Sequence, residues 1–439
     1  MIAYRILPVL IIGSLGLSTP VQAQSLTNLY KSALQYDATY LAAKSQFQAT
    51  LTKEDQAKAL TLPSVNLDLG SSAANRNSST SLGNKSFAAA SGAISVTKGL
   101  FRPSNDAGYA IGQKQTVLAK AQMAIAEQDL MIRISKAYFD VLASQDSLNL
   151  VQTQKKSVAE QLASAQRKFE VGTSTITDTR EAQAQFDLTN SDEIASQHDL
   201  RVKRLALQQI VGIKNSQPLA LEQPINLPAI IPTEEKAWVE KSINSPLVLI
   251  SKINLEIAKL QTTQVQAGTK PTLDITASYS NGYNNGGSIS SNTNSNSSVG
   301  SIGLSFKYPL YDGHLVQHKV RETLALEEKA RNELEGAQRT VEQNISTSYF
   351  GLLSGLSQVK ALEAAEVSSQ SALEANELGY QVGVRVNIDV LSAQSQLFLT
   401  KTKLAKARYN VLINGLQLRQ ASGILSAQDL QNLSRLLTK

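Results

Sequence analysis

The sequence predicts an internally duplicated α+β protein, each half carrying a β-hairpin followed by a long helical hairpin. Residues from Ile134 to Gly212 recur 211 positions later without a gap. Tyr138-Phe139 returns as Tyr349-Phe350, Phe169-Glu-Val-Gly172 as Tyr380-Gln-Val-Gly383, Asp178 as Asp389, Leu205 as Leu416 and Gly212 as Gly423. Proline is absent between Pro103 and Pro218 and again after Pro309, and two pairs of segments alternate apolar and polar residues. A repeat this long exceeds the roughly 20–50 residues of a solenoid module. It is a duplicated half-protein, so a role found in one half should have a counterpart in the other.

Residues 1–23 read as a secretory signal. Arg5 supplies the positive flank, the apolar run from Ile6 to Leu17 is interrupted by Pro8, and Val21-Gln22-Ala23 places small residues at a cleavage site. Gln24 is the expected mature start, and the run falls short of the roughly 20 residues a membrane helix needs. The chain contains no Cys, so neither a lipid anchor nor a disulfide is expected. A charge of +6 spread over 439 residues, without a basic face interleaved with aromatics, argues against nucleic acid as a partner.

The first repeat is expected over residues 24–213, with a β-hairpin at about 64–98 and a helical hairpin at about 105–213. Val65, Leu67 and Leu69 alternate with Ser64, Asn66 and Asp68, and Ile94 and Val96 alternate with Ser95 and Thr97. Such period-two patterns mark strands with one apolar and one polar face. A polar loop is expected over 74–86. The proline-free tract that follows is rich in Ala, Gln, Leu, Glu and Lys, which favour helix. Gly172 near its middle permits a tight reversal.

Residues 214–238, with Pro218, Pro224, Pro228 and Pro232, read as the linker between repeats. The second repeat, 239–439, repeats the plan with a β-hairpin at about 271–308 and a helical hairpin at about 314–424. Its strands enclose a Ser/Asn/Gly-rich loop over 284–298, and Gly383 marks its helical reversal. The ascending arms, 105–170 and 314–381, are each on the order of 100 Å long at 1.5 Å per residue. Leu397, Leu404, Val411 and Leu418 are spaced like a coiled-coil seam; their repeat partners are Phe186, Glu193, Leu200 and Leu207.

Strands of about ten alternating residues in an exported chain fit an outer-membrane barrel, with Tyr279, Tyr283, Phe306, Tyr308 and Tyr311 as interfacial aromatics. Four strands cannot close one, because an open edge in lipid leaves backbone groups unpaired. Two chains would give eight strands and a filled bore; three would give twelve and a water channel. Physics alone reaches a hollow oligomer without choosing between them.

The motifs narrow this further. Lys-Tyr-Pro-Leu-Tyr-Asp-Gly at 307–313, Phe-Glu-Val-Gly-Thr-Ser-Thr-Ile-Thr-Asp at 169–178, Gly-Tyr-Gln-Val-Gly-Val-Arg-Val-Asn-Ile-Asp-Val-Leu at 379–391 and Ala-Arg-Tyr-Asn-Val-Leu-Ile-Asn-Gly-Leu at 407–416 resemble the TolC family of outer-membrane efflux and secretion channels. The resemblance covers essentially the whole mature chain. It implies a homotrimer: a twelve-stranded barrel in outer-membrane lipid, four strands per chain, continuous with a helical periplasmic tunnel. It further implies docking with a periplasmic adaptor and an inner-membrane transporter of ABC, RND or MFS type.

The same resemblance implies a gate at the two Gly turns. Tyr380 and Arg385 take latch positions, Thr177 and Asp178 are their expected partners, and Asp389 supplies a cation-selective ring. Two departures stand out: Ser392 replaces a second ring carboxylate, and Arg167 stands where the family has a Gln beside the Tyr. No catalytic residue, metal site or cofactor is expected. His314 and His318 are four apart, but the intervening Leu-Val-Gln lacks the Glu of a zinc protease motif. A barrel-anchored trimeric adhesin and a soluble periplasmic scaffold are the alternative readings; the adhesin is disfavoured because the strands recur in both halves.

Overall fold

The structure, a computed structural model, describes residues 24–435 apart from 78, 80–82, 222–226, 287 and 289–292. The expected signal segment therefore lies outside the described residues. Helix α1 (Leu26–Tyr36) is capped by the Ser25 hydroxyl, and α2 (Ala38–Ala59) by Asp37, whose carboxylate accepts the Tyr40 amide at 2.7 Å. The sequence reading left both helices unassigned, with good reason in α2. Only Tyr40 in α2 is buried, so no apolar stripe marks it. Its helicity is fixed by lying against a long neighbour, where a Cβ on Gly112 would stand 2.8 Å from that of Ala57.

Strands β1 (Ser64–Arg76), β2 (Lys85–Phe101), β3 (Thr272–Asn285) and β4 (Ser295–Lys307) form one antiparallel sheet in the order β1-β2-β3-β4. The hairpins of the two repeats are thus adjacent, and β1 and β4 are left as edges. The strands run further than alternation predicts. Residues 284, 285 and 295–298, expected in a loop, belong to strands. Short polar side chains bridge the pair there: Asn281 to Ser298 at 2.8 Å and Asn284 to Ser295 at 3.1 Å.

No strand residue is buried. Register nevertheless sorts them into two faces. Val65, Val96, Ala277 and Ile302 line up across the four strands on one face, and Asn66, Ser95, Ser278 and Ser301 on the other. Leu69 and Ile302 are 76% and 81% exposed, so the part of this face nearer the helices is an open, largely apolar surface, which gives way to Asn281 and Ser298 further along. At the end of β2, Arg102 folds over Gly99 on the polar face and holds Asp274 through two bonds of 2.6 and 2.7 Å. This pair ties β2 to β3 where the sheet passes into helix.

Helix α3 (Pro103–Glu170) starts with proline at its first position, where no amide hydrogen is needed, and runs for 68 residues; α7 (Leu315–Gln381) runs for 67. Each spans on the order of 100 Å. Shorter helices complete each layer: α2 and α4 (Ile176–Val211) both pack on α3, and α6 (Pro246–Gln266) and α8 (Asn387–Ala421) both pack on α7. Helices α6 and α8 also touch α3, which joins the repeats into one wall. Helix α6, like α2, had no assignment from sequence; Lys114 on α3 reaches its Glu256 at 2.7 Å.

The duplication shows in the packing. Ile134, Val141 and Leu148 of α3 are buried, and so are their partners Ile345, Leu352 and Val359 of α7. Around mid-length the chain between repeats wraps these helices, with α5 (Glu235–Lys241) within it and α9 (Ala427–Ser434) beside it. Paired tyrosines fasten it: Tyr138 donates to the Leu219 carbonyl at 2.9 Å, and Tyr349 to the Thr233 carbonyl at 2.6 Å. Trp238 is buried and donates to the Pro232 carbonyl at 2.9 Å.

At the α1–α2 corner Arg133 grips Asp37 with two bonds of 2.8 and 2.9 Å, and also holds Asp129. The Arg133 hydrogen bonds hold the Asp37 carboxyl below its ordinary pKa against the opposing effect of burial. A carboxyl with a lowered folded pKa adds stability above its unfolded pKa and loses it as pH falls through the folded one. Arg133→Ala should therefore cost about 2–3 kcal/mol at neutral pH, from a nearly buried charge left unpaired. Urea melts should show the wild-type advantage shrinking below pH 4 or so; an advantage unchanged by acid would reject this role.

Candidate functional site at the hairpin tips

Each helical hairpin turns through a glycine in the left-handed region, Gly172 at φ 77° and Gly383 at φ 81°. Neither would meet a neighbour through a Cβ, so backbone conformation alone demands glycine. In the first turn the Gly172 amide returns to the Phe169 carbonyl and the Thr173 amide to Lys168. That pattern ends α3 with its last carbonyls satisfied.

Helix α4 then begins with a full capping box. The Thr175 hydroxyl accepts the Asp178 amide at 3.2 Å, and the Asp178 carboxylate accepts the Thr175 amide at 3.1 Å. The same carboxylate takes the Ser174 hydroxyl at 2.6 Å and that of Thr175 at 2.9 Å. Burial pushes its pKa up, but these bonds, with the charge of Lys168, outweigh it and leave the carboxyl below its ordinary value. The second tip is built more loosely. Val386 has no hydroxyl to offer, and Asp389 reaches its amide only at 3.5 Å.

Arg385 lies along the second turn, its stem over Gly379, where a Cβ would stand 2.6 Å from the Arg385 Cγ. Its guanidinium faces Asp389 at 3.7 Å, both groups in contact with solvent. Tyr380 receives a cation over its ring, but from Lys168, 4.2 Å from the centroid. Arg167, one residue earlier, is exposed and its guanidinium has no polar partner among the described residues. Thr177 is exposed as well. Within one chain the structure thus joins Arg385 with Asp389 and brings Tyr380 to the first hairpin. Asp178 is occupied by its own helix cap, and Arg167 and Thr177 point to solvent.

Two contributors escaped the sequence reading. Lys168 was overshadowed by its neighbour Arg167, although both sit in the last turn of α3. Asn387, 1% exposed, donates to the Asp178 carbonyl at 3.3 Å and so ties the start of α8 to the start of α4. Its one visible signal is an Asn set between Val386 and Ile388 at a helix start. Just beyond, Leu391 is buried among Val158, Ala165 and Ala182 of the first hairpin. The two hairpins therefore meet near their tips through the Leu391 knob, the Asn387–Asp178 hydrogen bond and the Lys168–Tyr380 cation–ring contact.

A four-stranded sheet bare on both faces, running into paired helical hairpins about 100 Å long, has a counterpart among known proteins. The profile of the outer membrane efflux protein family matches residues 29–213 and 240–424. The chain belongs to that family. It is 31% identical to the outer membrane protein TolC of Vibrio cholerae over 432 residues, 98% of each chain. It is also 32% identical to TolC of Escherichia coli, over 99% of this chain and 90% of that one. Among solved structures it superposes on the CusC channel with a TM-score of 0.79 at 17% identity, covering 91% of this chain and 92% of that one.

The fold expectation holds on these grounds, and so does the functional one: this is an outer-membrane channel for efflux and secretion, a transport protein and not an enzyme. It sits in the outer membrane with its helical part extending into the periplasm. Among the described residues no helix is long and apolar enough to cross a membrane.

Asp178→Ala should cost about 1 kcal/mol by removing the α4 cap. The wild-type advantage should persist above the ordinary carboxylate range and fade as pH falls through the lowered folded pKa. Local amide exchange at residues 176–179 reads this directly; unchanged protection in the variant would refute it.

Proposed function

We propose that three copies assemble head to tail into a single duct across the outer membrane, closed at the periplasmic end by the hairpin tips. The carrying observation is the uncovered sheet, with an apolar face and two unpaired edges. Its β1 edge continues into the α2/α4 side of the chain and its β4 edge into α7, so the two sides are unlike. Unlike edges pair head to tail and close a ring. Twelve strands leave room for a water channel, whereas eight fill their own bore.

The dimensions support a barrel in lipid. On β3 the residues of the apolar face, Leu273, Ile275, Ala277, Tyr279 and Tyr283 with Asn281 set among them, extend on the order of 33 Å along the strand. Tilted by roughly 40°, that is about the 25 Å apolar band of an outer-membrane barrel. The aromatic residues Tyr283, Phe306, Tyr308 and Tyr311, all exposed, stand towards its two margins. No energy-coupling site is needed in such a duct. A periplasmic adaptor and an inner-membrane transporter of ABC, RND or MFS type supply the substrate and the work.

At the tips, Arg385 and Tyr380 latch the second hairpin against first-hairpin partners. Thr177, Asp178 and Arg167 are those partners, reached between copies. Asp389, repeated three times, forms a cation-attracting ring. Wet ion pairs contribute about 0.2–1 kcal/mol each, so a three-fold latch holds only a few kcal/mol. That is a scale which partner docking can release.

A heat-resistant trimer on unboiled gels, together with channel current in planar bilayers, tests the assembly. In those bilayers Arg385→Ala should raise single-channel conductance severalfold, and Asp178→Ala should raise it too; conductance unmoved in both would remove the latch. Asp389→Ala should abolish most of the cation preference, because Ser392 leaves no second carboxylate ring behind it. Reversal potentials in a salt gradient measure this, and a preference retained in the variant would place the selective charge elsewhere.

A further inference from the structure

The duplication assigns a contact that a single chain leaves unmade. Inside one chain, α3 docks on α8 through Phe139 and Leu142, which are 1% and 5% exposed. They meet Tyr409, Ile413 and Leu416 of α8 in one cluster, the Phe139 and Tyr409 rings lying 5.9 Å apart. Carried 211 positions across the repeat, the same residues behave oppositely. Phe350 and Leu353 of α7 are 54% and 46% exposed, and Val202 and Leu205 of α4 are 45% and 57% exposed. On the same two helices Ile345, Leu352 and Val359 of α7 and Leu200 and Leu207 of α4 are buried as their repeat partners are, so this is not general loosening of either helix. One face of α7 and one face of α4 lack the partner that α3 and α8 give each other.

We infer that these two faces are halves of one seam between successive copies, in the register of the α3–α8 seam. Phe350 and Leu353 of one copy seat on Val202 and Leu205 of the next. The occupant of each face is therefore a second copy of this chain. The repeat supplies the register, and the apolar pairs match in kind, Val202 for Ile413 and Leu205 for Leu416. The inference rests on the head-to-tail assembly proposed above.

The two seams differ in one polar feature. Within the chain, Tyr409 donates to the Asp146 carboxylate at 2.6 Å, a tie between α8 and α3 set beside the apolar contact. At the corresponding positions stand His198 and Ser357, both exposed. Ser357 turns its hydroxyl back to the Leu353 carbonyl at 3.0 Å. The seam between copies has the apolar contact without the tyrosine–carboxylate tie. It is the weaker of the two seams, and the one along which the helical wall parts first.

The test transplants the tie. Oligomer dissociation in detergent is timed on unboiled gels for wild type, His198→Tyr, Ser357→Asp and the double variant. A coupled pair should slow dissociation of the double variant by about tenfold beyond the product of the single effects. Because the chain has no native Cys, His198→Cys with Ser357→Cys offers a second reading. A short bismaleimide should then link copies into a covalent ladder. Assembled channel with purely additive effects and no ladder would overturn this register while leaving the assembly intact. Failure of wild type to form any oligomer would overturn the assembly reading itself.

Discussion

A strand edge placed in hydrocarbon must find a partner for every backbone N–H and C=O, at a cost of several kcal/mol for each one missed. In the proposed assembly the β1 and β4 edges of this sheet meet that demand in each other, across copies. Much else follows from it. Closure fixes the circumference, and the circumference fixes how many helices stand side by side beneath the sheet. Because α3 leaves directly from β2 and α7 closely follows β4, the helical wall inherits the curvature of the barrel. The Arg102–Asp274 pair sits where that inheritance takes place, tying two strands at the point where one becomes helix.

Duplication makes this closure economical in sequence. One pattern of buried positions, Ile134–Val141–Leu148 and Ile345–Leu352–Val359, serves two long helices. One tyrosine, used twice, fastens the linker to each of them. The copies differ where they have different neighbours. Helices α3 and α8 have two buried faces because they lie inside the chain, whereas α4 and α7 lie at its sides and bury fewer. At the tips the difference is chemical: a complete capping box at Thr175 and Asp178, and a single long bond at Val386 and Asp389. The second tip is the less firmly held of the two.

Much of this architecture was legible in the chain because its signals are local. Proline-free tracts mark the long helices, Gly172 and Gly383 mark their reversals, and alternation marks the strands on both sides of the sheet. What stayed hidden depends on contacts made elsewhere. Helix α2 has no apolar stripe and is specified by the groove at Gly112. The strand ends near Asn284 and Ser295 read as loop because every side chain is polar, yet cross-strand amide and hydroxyl bonds extend the sheet there. At the tips the types of residue were readable and their pairings were not. That Lys168, and not Arg167, covers Tyr380 is decided by helix rotation, and Asn387 matters only because the two hairpins lie side by side.

The tyrosine-fastened linker has a mechanical meaning. Tyr349 lies about 34 residues below the top of α7 and 32 above its tip, so the tie divides the helix into arms of roughly 50 Å. A rod held at its midpoint is a lever of nearly equal arms. A tip swung outward by about 8 Å would tilt such a rod by roughly ten degrees and throw its upper end as far inward. A hydrogen-bonded barrel cannot follow that movement. Opening of the proposed gate would therefore be taken up as bending or unwinding below the fulcrum, with the linker acting as the bearing that keeps torque out of the membrane.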